Sequence, residues 1–426
     1  MLLIKGGHLI DPLQGIDEAR DLLIENGRVS EISPSIDIGH PEGADTIIDA
    51  SGLIVAPGFV DVHAHFRDPG YPEKETLHTG ALSAAAGGYT SVLCMANTDP
   101  PIDEAGILKE MREKAKEEHI NIYFSAAVTK GRKGRELSDM EALMSEGVPC
   151  FTDDGSPILD KKLLRSAMER AAELGAVISL HEEDPAFIGT AGVNEGKVSA
   201  MLGMKGADRR AEYSMVERDL ELALETGCKL DIQHISAKES VELIRRAKAR
   251  DDRGLIHGEV TPHHFSLTEE AVLSHLSLAK MNPPLRTEED RTALCRALSD
   301  GTLDLIATDH APHTLQEKAR AFADSPSGII GLETALSLGL KYLVEPGYLS
   351  LSGLIERMSV SPATLCSLPA GTLSKEKPAD IVIFSTGEKH RYGAFNSKSL
   401  NSPFINSVLP GRIHYTICGG EIVYKA

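Results

Sequence analysis

The chain of 426 residues contains no C-x-x-C pair: its cysteines, Cys94, Cys150, Cys228, Cys295, Cys366 and Cys418, are widely scattered. That spacing excludes a zinc-knuckle or redox motif and leaves buried small hydrophobes as the expected role. No uninterrupted apolar stretch approaches the length of a membrane span, and Met1 to Gly7 lacks a charged segment leading into a long apolar one. A cytoplasmic protein is the expectation. Basic excess is also lacking, since 44 Lys and Arg face 63 Asp and Glu for a net charge of -19. Nucleic acid and anionic membrane are therefore disfavoured as partners, and an anionic substrate would need a local basic anchor. No G-x-G-x-x-G follows an apolar run, which weakens a dinucleotide-binding reading. What remains, 42% apolar and 25% charged residues, is ordinary material for a folded core.

Both ends of the chain have β texture. Leu2 to Lys5, Asp21 to Glu25, Arg28 to Ile32 and Thr46 to Asp49 read as strands, with Asn26-Gly27 as a hairpin turn. Asp380 to Phe384, Ile413 to Cys418 and Glu421 to Tyr424 match them, the last two joined by Gly419-Gly420, while Gly387 to Pro410 reads as irregular loop. The expectation is one small β-sandwich-like domain built from residues 1–52 and 370–426.

Residues 53–369 alternate short apolar runs with helical stretches, as parallel strands with crossover helices do. Eight runs are present: Val60 to His65, Thr90 to Met95, Ile120 to Ala126, Val148 to Phe151, Val177 to Leu180, Lys229 to Gln233, Leu255 to Val260, and Leu303 to Thr308. This predicts an α/β chain with a (β/α)8 TIM-type barrel, a doubly wound open sheet being the alternative. In such barrels the chemistry sits at the C-terminal ends of strands. Here those ends carry His63 and His65, Thr152-Asp153-Asp154-Gly155, His181, His234 and Asp309-His310. Period-two alternation sends His63 and His65 to one side, with Arg67 expected to follow them. One strand-end histidine is usually structural; four with accompanying aspartates suit a metal site. Six donors exceed the needs of one tetrahedral zinc and suit two ions sharing a carboxylate, a device for acidifying water and polarising an amide carbonyl.

These segments resemble the bacterial cytosolic dihydroorotases of the metal-dependent amidohydrolase superfamily. The resemblance runs through His63-Ala64-His65-Phe66-Arg67-Asp68-Pro69-Gly70, Met95-Ala96-Asn97-Thr98, Phe151-Thr152-Asp153-Asp154-Gly155, Met281-Asn282-Pro283-Pro284-Leu285-Arg286, Thr308-Asp309-His310-Ala311-Pro312-His313 and Gly331-Leu332-Glu333-Thr334. It departs at Ala96, where the family usually has proline. It implies reversible closure of N-carbamoyl-L-aspartate to L-dihydroorotate with loss of water, in pyrimidine biosynthesis. It further implies Zn2+, two ions per chain bridged by Asp154 and a hydroxide. His63, His65 and Asp309 would hold one ion, and His181 and His234 the other.

Asp309 would be the general acid and base, with His310 as the adjacent rival. Arg67, Asn97, Asn282 and His313 would meet the carboxylate and the N-H and carbonyl groups of the substrate, joined by His65, Ser327 and Gly328. The segment Thr314 to Ser327 would lie over the site, and His263 and His264 read as structural. The resemblance also implies a homodimer and, in some members, a complex with aspartate carbamoyltransferase. Alternatives are another cyclic amidase, such as a hydantoinase or allantoinase, or a non-catalytic amidohydrolase-like partner of aspartate carbamoyltransferase; the latter class shows broken ligand sets, and all six positions are intact here.

Overall fold

The computed structural model describes residues 1–37 and 46–426. Eight consecutive parallel strands form the centre: β6 (Phe59–Ala64), β7 (Tyr89–Cys94), β8 (Asn121–Phe124), β9 (Cys150–Phe151), β10 (Val177–Leu180), β11 (Lys229–Ile232), β12 (Ile256–Val260) and β13 (Leu305–Ile306). They pair in the orders β6-β7-β8 and β9-β10-β11-β12-β13. Two parallel bridges, Ala126 with Phe151 and Ala64 with His310, join the two sets into a ring. The second closure is a 2.8 Å bond from the His65 amide to the His310 carbonyl. Barrel strands face side chains on the inside and helices on the outside, which is why β6 and β7 are buried at every position and read as continuous apolar runs.

The crossover helices begin and end on residues chosen for those positions. Thr76 caps Leu77–Ala86 in a reciprocal box with Thr79, Asp160 caps Lys161–Leu174, and Thr287 boxes with Asp290 at the start of Glu288–Asp300. Each such cap is worth about 1 kcal/mol. Gly175, Gly227 and Gly301 end their helices at φ 67°, 78° and 80°, left-handed conformations where a Cβ would be strained. Among the described residues no helix is long and apolar enough to cross a membrane.

The two chain ends meet in one sheet, ordered β16-β15-β14-β5-β1-β2-β3 with β4 beside β1. Its members are β1 (Leu2–Asp11), β2 (Ile16–Glu25), β3 (Arg28–Ser33), β4 (Thr46–Asp49), β5 (Ile54–Pro57), β14 (Ile381–Arg391), β15 (Val408–Cys418) and β16 (Glu421–Lys425). Asn26 and Gly27, both at positive φ, make the β2-β3 turn. Ile4, Leu22, Ile24, Val55, Ile381 and Ile417 fill the core of this sheet. It is tied to the barrel by the Thr416 hydroxyl donating to the Ala85 carbonyl (2.6 Å) and by Asn121 donating to Asp380 (2.9 Å). One expectation is corrected here: the irregular stretch is narrower than Gly387 to Pro410, because β14 runs on to Arg391 and β15 starts at Val408. Register shifts between Ser385 and Lys389 absorb the glycine, so the ladder survives it.

Candidate metal centre and substrate pocket

His63 is the fifth residue of β6, and its ring is held from inside the barrel. Nδ1 donates to Glu259 Oε2 of β12 at 2.9 Å, with both side chains fully buried. Its Nε2 is also buried and has no hydrogen-bond partner. His65 lies one residue past the strand; Nδ1 donates to Asn97 Oδ1 (2.9 Å), and Nε2 is 2.9 Å from Asp309 Oδ1. Asp154 stands between the imidazoles. Its Oδ1 is 3.7 Å from His63 Nε2, 3.5 Å from His181 Nδ1 and 4.0 Å from His234 Nε2, while Oδ2 is 3.6 Å from His65 Nε2. His181 Nδ1 and His234 Nε2 approach to 2.9 Å.

The electrostatics of this cluster call for positive charge at its centre. Burial disfavours ionisation of Asp154, but His181, His63 and His65 overcome it and hold its carboxyl well below the usual range. Burial likewise opposes charge on His63 and His181, yet Glu259 with Asp154 and Asp309 raise the first well above normal, and Asp154 with Glu183 raise the second to about 10. His234, by burial and by its cationic neighbours His181 and His63, is driven well below normal. Two sets of donors, His63, His65, Asp309 and His63, Asp154, His234, have ligand atoms all within 4.8 Å of one another. Imidazole nitrogens and carboxylate oxygens aimed inward, one nitrogen left without a partner, fit a transition-metal cation. The tight placement is also strained: Arg67, His234 and Asp309 lie at φ 59°, 34° and 46°, among only nine such non-glycine residues in the described structure.

A cavity of about 190 Å³ opens beside the donors, walled by His65, Arg67, Asn97, Asn282, Ser327 and Gly328 among others. Arg67 shares this cavity with His65, as expected, although β6 ends at Ala64 and the chain turns through positive φ at Arg67 itself. Its Nε donates to the Pro312 carbonyl at 3.3 Å. His313 Nε2 lies 3.4 Å from the guanidinium and donates to the Ser327 carbonyl at 2.9 Å. Burial, then the charges of Arg67, Lys74 and Lys318, push His313 down to about 2, so it is neutral. Gly328 sits at φ 134°, where a Cβ would meet Ala311 at 2.8 Å; only glycine fits. Asn97 uses both halves of its amide on the cluster, since Nδ2 donates to Asp154 Oδ2 at 2.9 Å.

Rival residues are spoken for. Asp153 accepts from the amide and hydroxyl of Thr129, facing away from the imidazoles. His310 Nε2 contacts Glu75 at 3.3 Å and Nδ1 accepts the Gly331 amide, so both ring nitrogens are occupied in the wall. His264 bonds Thr261 and the Pro283 carbonyl, as a structural residue should. Missed altogether by sequence reasoning were Glu259, Glu183 and Asn401. Asn401 reaches in from the C-terminal segment, accepts the His313 amide (3.0 Å), and donates to the carbonyls of Ala311 (2.9 Å) and Gly328 (3.1 Å).

Comparison with known proteins agrees with this geometry. A family described as dihydro-orotase-like matches residues 52–240. A dihydroorotase from Clostridioides difficile is 51% identical over the full length of both chains, and one from Lactococcus lactis is 48% identical over 100% of this chain and 99% of its own. Among solved structures, the L-hydantoinase (dihydropyrimidinase) from Arthrobacter aurescens superposes with a TM-score of 0.88 at 26% identity, covering 100% of this chain and 96% of its own. A dihydropyrimidinase from Brevibacillus agri, at 22% identity and a TM-score of 0.85 over 99% and 95% of the two chains, shares the fold.

Proposed function

Since this chain belongs to the dihydroorotase family of metal-dependent cyclic amidohydrolases, we infer that it interconverts N-carbamoyl-L-aspartate and L-dihydroorotate in pyrimidine biosynthesis, at the strand-end cluster. The observation that carries the reading is the gathering of four imidazoles around Asp154, with Asp309 beside them, next to a cavity that Arg67 also lines. We assign the donors to two zinc ions: His63, His65 and Asp309 to one, His181 and His234 to the other, with Asp154 between them because its two oxygens face different imidazoles. When bound, the metals supply acidified water and a polarised amide carbonyl.

The chain's own residues do the rest. Arg67 receives the substrate carboxylate in its planar fork, and His313 and Ser327 hold that end of the cavity. Asn282 and the Ser327-Gly328 backbone orient the ring. Asp309 turns Oδ1 to His65 and lines the cavity, and its carboxylate takes a proton and returns it to the departing ring nitrogen. Asn97 orients His65 and Asp154 through one acceptor and one donor site of its amide, which leaves a second N–H and a second lone pair for substrate.

A hydantoinase reading draws support from the shared fold, but those structures are only 22% to 26% identical to this chain. Turnover of dihydroorotate, hydantoin and allantoin on one preparation of known metal content tests the assignment. The expected result is strong preference for dihydroorotate with close to two metals per chain. Equal or better turnover of hydantoin would overturn it.

A further inference from the structure

Asn282, in the cavity wall, has its amide oriented by a charged neighbour. Its Nδ2 donates to Glu183 Oε2 at 2.9 Å, and its Oδ1 is buried without any hydrogen-bond partner. A carboxylate only accepts, so it can bind the NH2 half of the amide and never the carbonyl half. Glu183 therefore decides which way Asn282 is flipped. The same Glu183 oxygen lies 3.4 Å from His181 Nε2, on the opposite edge of the ring from Nδ1, which faces Asp154.

We propose that Glu183 is a positioning residue that fixes Asn282 with its carbonyl oxygen as an obligatory acceptor for a substrate N–H. This rests on the reading of Asn282 as a substrate contact and deepens it into a specificity rule. A buried acceptor left unpaired is penalised, so the site favours a ring imide or ureide that brings an N–H to Asn282 and disfavours one presenting a carbonyl or an N-alkyl group there. Coupling through His181 makes the amide's orientation and the metal donor set parts of one hydrogen-bonded unit.

The test is a charge-swap cycle in the full-length, metal-loaded chain. Asn282→Asp places a second carboxylate against Glu183 and should lose activity severely. Glu183→Gln should lose about ten-fold in kcat/KM, because a glutamine can offer either end to Asn282. In the double variant Glu183→Gln/Asn282→Asp the glutamine NH2 donates to the new carboxylate, whose other oxygen again faces the cavity as an acceptor. The double variant should therefore be at least about ten-fold better than the product of the two single losses. Equilibrium binding of orotate, a ring of the same N–H pattern that is not hydrolysed, should show the same non-additivity when every variant is compared at equal metal loading. Strict additivity in both readouts, with Asn282→Ala impaired, would overturn the role of Glu183 alone. An Asn282→Ala variant with normal turnover and orotate binding would instead remove the substrate contact itself.

Discussion

Glu259→Gln asks how much of the metal affinity is held outside the donor set. Glu259 Oε2 accepts His63 Nδ1 at 2.9 Å and also lies 3.4 Å from the His234 amide nitrogen, so one carboxylate orients two donors from two strands. Both His63 and Glu259 are fully buried, and no water competes for the bond. Beside them burial and the neighbouring Glu259 push the Asp231 carboxyl far up. Glutamine is nearly isosteric, which leaves packing intact. It loses the charge that makes His63 a strong donor through Nε2, and its amide nitrogen opposes Nδ1–H if it faces the ring. Removing such an orienting partner typically weakens metal binding by about 10- to 100-fold, or about 1.4 to 2.8 kcal/mol at 1.4 per decade. Chelator-competition titration of zinc on the variant and the parent reads this directly. An unchanged dissociation constant for both ions would show that Glu259 merely fills the barrel and that His63 needs no orienting partner.

Three further outcomes are expected. Arg67→Lys supplies charge without the bidentate fork, so kcat/KM for dihydroorotate should fall far more than residual turnover of hydantoin, which lacks the carboxylate; equal losses on both would mean a structural arginine. Asp309→Asn keeps a ligand oxygen but removes the base, so kcat should fall by about 10²- to 10⁴-fold with metal content retained, and near-normal kcat would exclude Asp309 as the proton carrier. Lys318 is pushed down to about 7 by burial and by Lys280, Glu317 opposing, while its Nζ donates to the carbonyls of Ser277 (2.8 Å) and Pro326 (2.9 Å). Opening that segment exposes the amine to a normal value of 10.5 and takes up a proton. Closure is therefore strongest above about pH 10 and weakens as pH falls toward 7. Hydrogen-exchange protection factors over residues 315–327 should rise with pH across that window, and a rise that persists in Lys318→Met would refute the cause.

The parts of this molecule legible in its sequence are those whose physics is local. Parallel strands buried on both faces have to be short apolar runs, so β6 through β13 announce themselves, and the residue following each run stands at the catalytic rim without further information. That is why His63, His65, His181, His234, Asp309 and the pair Asp153-Asp154 could be named as candidates before any coordinates, the choice of Asp154 over Asp153 coming from the family resemblance. Glu259 could not, because within Ile256–Val260 it looks like any polar residue in a strand; only closure of the barrel brings it under His63, 196 residues away in sequence. Glu183 lies in the acidic run Glu182-Glu183-Asp184, whose local pattern reads as a solvated turn. Its partner Asn282 is 99 residues distant. Arg67 reaches the cavity that strand alternation pointed it to, although the strand ends before it and its own φ is positive. The donors belong to the fold's general plan, which periodicity encodes. What aims them is a set of pairwise contacts between strands and loops far apart in the chain, and such contacts leave no period. The orientation of Asn282, and hence which face a substrate must present, is therefore carried by the tertiary structure alone.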